Sequence, residues 1–246
     1  MRKTRVLFVV LLLMIIVSCS KSKKSLKVEI EPTERIINNL KGSDFSIVLN
    51  DMDIEDKKEH IVYKHKYHIL KKIKDSLVID SLGWKTVNEK FFLKYKEDLG
   101  MEIISSHDGV FSRIAKPVGF NWAIGNPKYG KWVKADSTKT SSRRVWRHRT
   151  PSLLFWYWML RRPAYQRDYR ASRAFNSSGK TYYGSNSRGT TKYGTQSTYQ
   201  KTKRGSFYNR SRTSKAWKSF NNSKKGRSSS RYGKSSSRSR SGGYGK

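Results

Sequence analysis

The chain has 246 residues, 53 Lys and Arg against 18 Asp and Glu, a net charge of +35 and 35% hydrophobic residues. That balance excludes one hydrophobic core running the whole length. The charge is uneven: residues 137–246 carry 28 cations against one acid, Asp168, while residues 1–136 carry 25 against 17. The first part reads as a mildly basic domain and the second as a polycation.

At the N-terminus, Arg2, Lys3 and Arg5 precede an unbroken apolar run from Val6 to Val17. Twelve residues are too few to cross a hydrocarbon layer of about 30 Å, which needs about 20 in a helix. The pattern reads as an export signal. Ile16-Val17-Ser18-Cys19 resembles the lipobox of bacterial membrane lipoproteins. The resemblance implies a signal peptide over 1–18, cleavage before Cys19, a thioether-linked diacylglycerol on Cys19, and a lipid-anchored linker over 19–25. It also implies an extracytoplasmic address on the cell membrane or outer membrane. Cys19 is the sole cysteine, so no disulfide or cysteine-based metal site competes for it.

Residues 26–135 are expected to form a small α+β domain. Pro32, Ile36, Ile37 and Leu40 predict a helix over 31–40, ended by Gly42. FSIVLND, EHIVYKHKYHIL, SLVIDSL, WKTV, FFLKYK and MEIISS then read as an antiparallel meander of about five strands. Asp75-Ser76, Gly83 and Asp98-Leu99-Gly100 punctuate it.

Histidines His60, His65 and His68 fall close together, but strand alternation puts His65 with Ile61, Tyr63, Tyr67 and Ile69 and puts the other two opposite. No metal, catalytic or cofactor site is therefore expected. Phosphate-loop, zinc-protease and nucleophile-elbow patterns are absent from the sequence. The carboxylate pairs Asp51/Asp53 and Glu97/Asp98 read as solvated charge.

GFNWAIGNPKYGKW, residues 119–132, reads either as an aromatic loop closing the domain or as a stacking surface for sugars or headgroups. Its GNPKYG stretch, followed by an aromatic segment and a basic Ser/Gly tail, resembles a set of uncharacterised bacterial envelope proteins. Residues 136–163 form a basic-aromatic segment in which 151–162 predict a short apolar helix. Phe155, Trp156, Tyr157, Trp158, Arg161 and Arg162 would enter a membrane interface or dock on the domain.

From 164 to 246 the abundance of Ser, Gly, Lys and Arg predicts a disordered tail. Its cations Arg167, Arg170, Arg173, Lys201, Lys203, Arg204, Arg210, Arg212, Lys224, Lys225, Arg227 and Arg231 are the candidate polyanion contacts. The expected protein is a non-enzymatic, lipid-anchored envelope protein. Its partners would be the membrane and anionic polymers such as lipopolysaccharide, teichoic acid or peptidoglycan. An extracellular nucleic-acid binder and a small ligand-binding or enzymatic domain are the alternatives; the export signal disfavours nucleic acid.

Overall fold

The computed structural model describes residues 23–73, 76–135, 143–149, 163–185 and 190–228. A two-residue strand β1 (Lys24–Ser25) and helix α1 (Pro32–Asn39) precede two long strands, β2 (Phe45–Asp56) and β3 (His60–Ile73), which pair antiparallel. β3 alternates β-branched or aromatic residues with polar ones over much of its length, whereas Phe45 to Leu49 of β2 are buried on both faces. In β3 Tyr63, His65, Tyr67 and Ile69 form one buried face, and Val62 and Leu70 are buried on the other. In β2, Leu49 pairs with Tyr67 but Asp51 pairs with Lys66, so Asn50 is an extra residue. This bulge turns Leu49 and Met52, both fully buried, toward the same core.

The far edge of β3 is shared out along its length. β1 takes His60 and Ile61, β5 (Lys85–Val87) takes Tyr63 to His65, and β4 (Ser76–Ser81) takes His68 to Ile73. Across β2, strand β6 (Glu102–His107) pairs with Phe45 to Val48 and turns into β7 (Val110–Ser112). Asp108 and Gly109 both have positive φ at that turn, the conformation that an Asp-Gly hairpin supplies. The result is a mostly antiparallel seven-stranded sheet, so the fold is α+β.

FFLKYK, expected as a strand, is helix α2 (Glu89–Tyr95). Phe92 and Tyr95, three residues apart, bury against the sheet while Lys90 and Lys94 stay exposed. Packing on one helical face outweighs the strand preference of the aromatics, which is a weak prior.

A second sheet follows, the hairpin β8 (Gly130–Lys134) with β9 (Arg144–His148). Beyond it the described residues of the expected disordered tail form four helices: α3 (Gln166–Ser177), α4 (Thr198–Lys203), α5 (Gly205–Thr213) and α6 (Lys215–Ser228). Composition hides the reason. Phe207, Ala216, Trp217 and Phe220 are few, yet all four lie on the side facing the sheet and join its core. Trp217 sits 5.7 Å from Phe92 and 5.6 Å from Phe207, and Phe220 sits 6.0 Å from Tyr63. Arg212, Lys215 and Lys218 of the same helices are exposed, so low mean hydropathy coexists with an apolar stripe.

Polar contacts fix the register of this docking. Arg204 donates to the backbone carbonyl and side-chain oxygen of the bulged Asn50, and Arg210 donates to Asp51 at 2.8 Å. The Trp217 indole donates to Asp53 Oδ1 at 3.1 Å. Past Leu49 the outer edge of β2 has no strand partner among the described residues, and α5 and α6 cover it.

Trp217→Ala is expected to lower the unfolding free energy in urea by about 3 kcal/mol, the scale of a large buried ring removed from a core. A loss under about 0.5 kcal/mol, the surface-residue scale, would mean that α6 is not part of the core.

Candidate polyanion-binding surface

The hairpin is anchored by its tryptophans. Trp132 and Trp146 are cross-strand neighbours with ring centroids 5.0 Å apart, and they pack with Phe120, Ile124 and Ala164. Tyr169 of α3 completes this cluster 5.7 Å from Trp132. Gly125, at φ +85°, allows that approach, since a Cβ there would come within 2.5 Å of the Tyr169 ring. The 119–132 stretch is thus largely packing material: Phe120 and Trp122 are buried, Tyr129 and Trp132 half-buried.

The hairpin cations lie on both faces, Lys131 and Arg147 on the side away from the tryptophans and Lys134 and Arg144 on the same side as them. Lys131 stands directly opposite Arg147, and Lys134 directly opposite Arg144. Both pairs are exposed, as are Arg143 and Arg149 at the strand ends. Like charges across a ladder are unfavourable, and no ion pair among the described residues involves any of the six.

On α3, Arg167, Arg170 and Arg173 are exposed at intervals of three, one stripe on the helix. The single acid of this region, Asp168, points inward at 1% exposure. It accepts from Lys192 at 2.9 and 3.0 Å and from the Tyr182 hydroxyl at 3.0 Å. Its charge is therefore spent internally and does not relieve the arginine stripe.

Of the other sequence-derived contacts, Lys201, Lys203 and Arg212 are exposed. Arg204 and Arg210 are corrections: both are half-buried and hold the C-terminal helices to β2, so neither is free to meet a polymer. Lys224, Lys225 and Arg227 belong to the last turns of α6, where side chains lie outside the described part. Cys19, Phe155, Trp156, Tyr157, Trp158, Arg161, Arg162 and Arg231 lie outside the described residues. The hairpin cations were the surface that composition passed over. Their signal was the β-branched and aromatic pair Val145-Trp146 between arginines, which reads as a short strand with both of those residues buried.

Titratable groups elsewhere are structural in their geometry. Ser46 Oγ and His107 Nε2 are 2.8 Å apart, a pair that nucleophilic chemistry could use, but Ser46 has 0% exposure and His107 stacks on Trp122 at 4.5 Å. Glu102 is buried beside them, with Lys116 and Asn121 completing the polar cluster. His65, wholly buried, lies 3.1 Å from the Tyr67 hydroxyl, and burial pulls its pKa down to about 3, so it stays neutral. Among the described residues no group of three His, Cys, Asp or Glu is placed to hold a metal. A groove of about 840 Å³ runs between residues 25–31 and α2, lined by Val28, Phe91, Glu31 and lysines; neither His65 nor the 119–132 loop lines it.

Asp98 is also not the solvated charge expected. It is buried, accepts from the Tyr183 hydroxyl at 2.8 Å, and burial pushes its pKa up to about 7. Burial does the same to Glu102, likewise to about 7.

No protein-family model, no curated protein and no solved structure matches this chain.

Acids with a raised native pKa give stability a definite slope. Between the unfolded value near 4 and the native value near 7 the folded state binds more protons, so stability falls as pH rises through that window. Buried, neutral His65 acts in the opposite direction below the ordinary histidine pKa of about 6.5. The readout is therefore the difference between wild type and Asp98→Asn: the urea midpoint of wild type relative to the variant should fall between pH 4 and pH 8, and the variant's own slope should be less downward. An unchanged slope in the variant would contradict the burial assigned to Asp98.

Proposed function

We propose that the protein is a non-enzymatic, lipid-anchored component of a bacterial cell envelope that holds anionic polymers or membrane surface on a folded cationic face. The carrying observation is the exposed set on β8, β9 and α3, in which the opposed cations have no carboxylate partner among the described residues and Asp168 is paired inside. The lipobox-like Ile16-Val17-Ser18-Cys19 supports the anchor. Lys24 lies five positions after Cys19, so a lipidated chain would hold the start of the sheet within about 17 Å of the lipid surface. Each exposed Lys or Arg that comes within a Debye length, about 8 Å, of an anionic surface contributes on the order of 1 kcal/mol.

The available partners at such an address are lipopolysaccharide phosphates, teichoic acid, peptidoglycan carboxylates and acidic phospholipid. Nucleic acid fits less well, because an export signal would take the chain to a compartment that holds little of it.

Full-length protein in detergent should bind lipopolysaccharide or anionic vesicles with an affinity that drops steeply between about 50 and 200 mM salt. Arg167→Gln/Arg170→Gln/Arg173→Gln should weaken that binding and make it less salt-dependent. In cells, Cys19→Ala should move the protein out of the membrane fraction. Salt-independent affinity would overturn the polyanion reading, and membrane retention of the Cys19 variant would overturn the anchor.

A further inference from the structure

We propose that residues 26–30 and the exposed side of α2 form a face that seats on the lipid leaflet carrying Cys19, which puts the N-terminal end of the sheet in the membrane interface. This rests on the lipid-anchor reading above and adds to it a contact made by the folded domain itself.

From Lys23 onward the chain is fixed to the sheet. Lys23 donates to Asp56 at 2.5 Å and to the Lys57 carbonyl at 2.9 Å, β1 pairs with His60 and Ile61, and the Leu26 amide donates to the Ile61 carbonyl at 2.9 Å. The Val28 amide donates to Asn88 Oδ1, and the Asn88 side-chain amide donates back to the Val28 carbonyl, both at 2.7 Å.

Around these clamps two large apolar residues are left outside, Leu26 at 36% and Ile30 at 50% exposure. Val28 and Phe91 line the groove beside them. Residues 26–30 span at most about 14 Å, so Leu26, Val28 and Ile30 make one patch. A single exposed apolar residue is ordinary; a cluster of them beside an open groove marks a contact surface.

The rim of the groove carries Lys27, Lys90 and Lys94, all exposed. Of its acids, Glu31 accepts from the Asn88 backbone amide at 3.2 Å and Glu89 from the Tyr63 hydroxyl, so Glu29 is the acid left to the three lysines. Lysine stems can lie along the apolar patch while their ammonium groups reach lipid phosphates.

Reach selects the occupant. Lys24, five positions after Cys19, would lie within about 17 Å of the leaflet, and a domain of this size is roughly 40 Å across. A tether shorter than the body keeps the side bearing β1 and residues 26–30 turned to the lipid. The anchor thus gives the leaflet a far higher effective concentration at this face than any partner free in solution has.

The test uses full-length lipidated protein in vesicles of phosphatidylcholine and phosphatidylglycerol. Cys19 is the sole cysteine and is blocked when lipidated, so a cysteine introduced elsewhere takes a thiol-reactive, environment-sensitive fluorophore alone. Leu26→Cys and Ile30→Cys report on the patch. Val78→Cys is the control: Val78 is exposed and pairs with Lys71, ten residues beyond Ile61 on β3 and about 33 Å along the strand.

Nitroxide-labelled lipid should quench the labels at 26 and 30 several-fold more than the label at 78, and emission at the first two should shift to the blue. Thermal melting checks that each variant is folded. Equal quenching at all three positions, or none at 26 and 30 while the protein still floats with the vesicles, overturns the inference and leaves the anchor standing. If Cys19 bears no lipid and the protein does not float, the anchor reading falls and takes this inference with it.

Discussion

Trp217 lies among Phe92, Phe207 and Phe220 with ring centroids 5.6–5.8 Å apart, and its indole nitrogen reaches Asp53 on the bulged strand β2. This contact makes residues from both ends of the chain members of one core. It covers the part of β2 that β6 leaves open, where bare backbone donors and acceptors would otherwise invite another strand. It also fixes Arg204 and Arg210 in place, which converts two cations from surface charge into clamps on Asn50 and Asp51. Segments on the way to it are held as well: Thr195 bonds the Lys96 carbonyl, and Tyr183 bonds Asp98.

Much of the sheet was legible because Ile61 to Ile69 in β3 keep a two-residue period, and His65 fell on the apolar face as that period requires. Helix α1 was legible from Pro32 and the spacing of Ile36. FFLKYK misled because aromatic residues favour strands, and only the burial of Phe92 and Tyr95 by surrounding elements decides for a helix. The C-terminal helices were hidden by averaging: four apolar residues among many serines and cations cannot shift composition. A local sign was present in Ser197-Thr198-Tyr199-Gln200, where the Ser197 hydroxyl accepts from the Gln200 amide to start α4.

The candidate surface was legible as charge but not as geometry. Net charge locates a polycation; it does not separate Arg204, sunk against Asn50, from Arg167, exposed on α3. It also cannot reveal that Lys131 faces Arg147, because register is a property of the pair of strands. The folded arrangement changes the physics of the proposed binding. Cations fixed on a hairpin and a helix lose little entropy on meeting a polymer, whereas a flexible arm would lose much more. A fixed array also has a spacing, and a spacing can discriminate among polyanions.

Amide hydrogen exchange of the native protein is the most direct measurement of this account, since all of it depends on the C-terminal helices being part of the core. Amides of residues 207–220 should show protection of the same order as those of Tyr63 to Ile69 in β3, both opening only in global unfolding. Exchange of 207–220 at the rate of an unstructured chain, beside a protected β3, would contradict it.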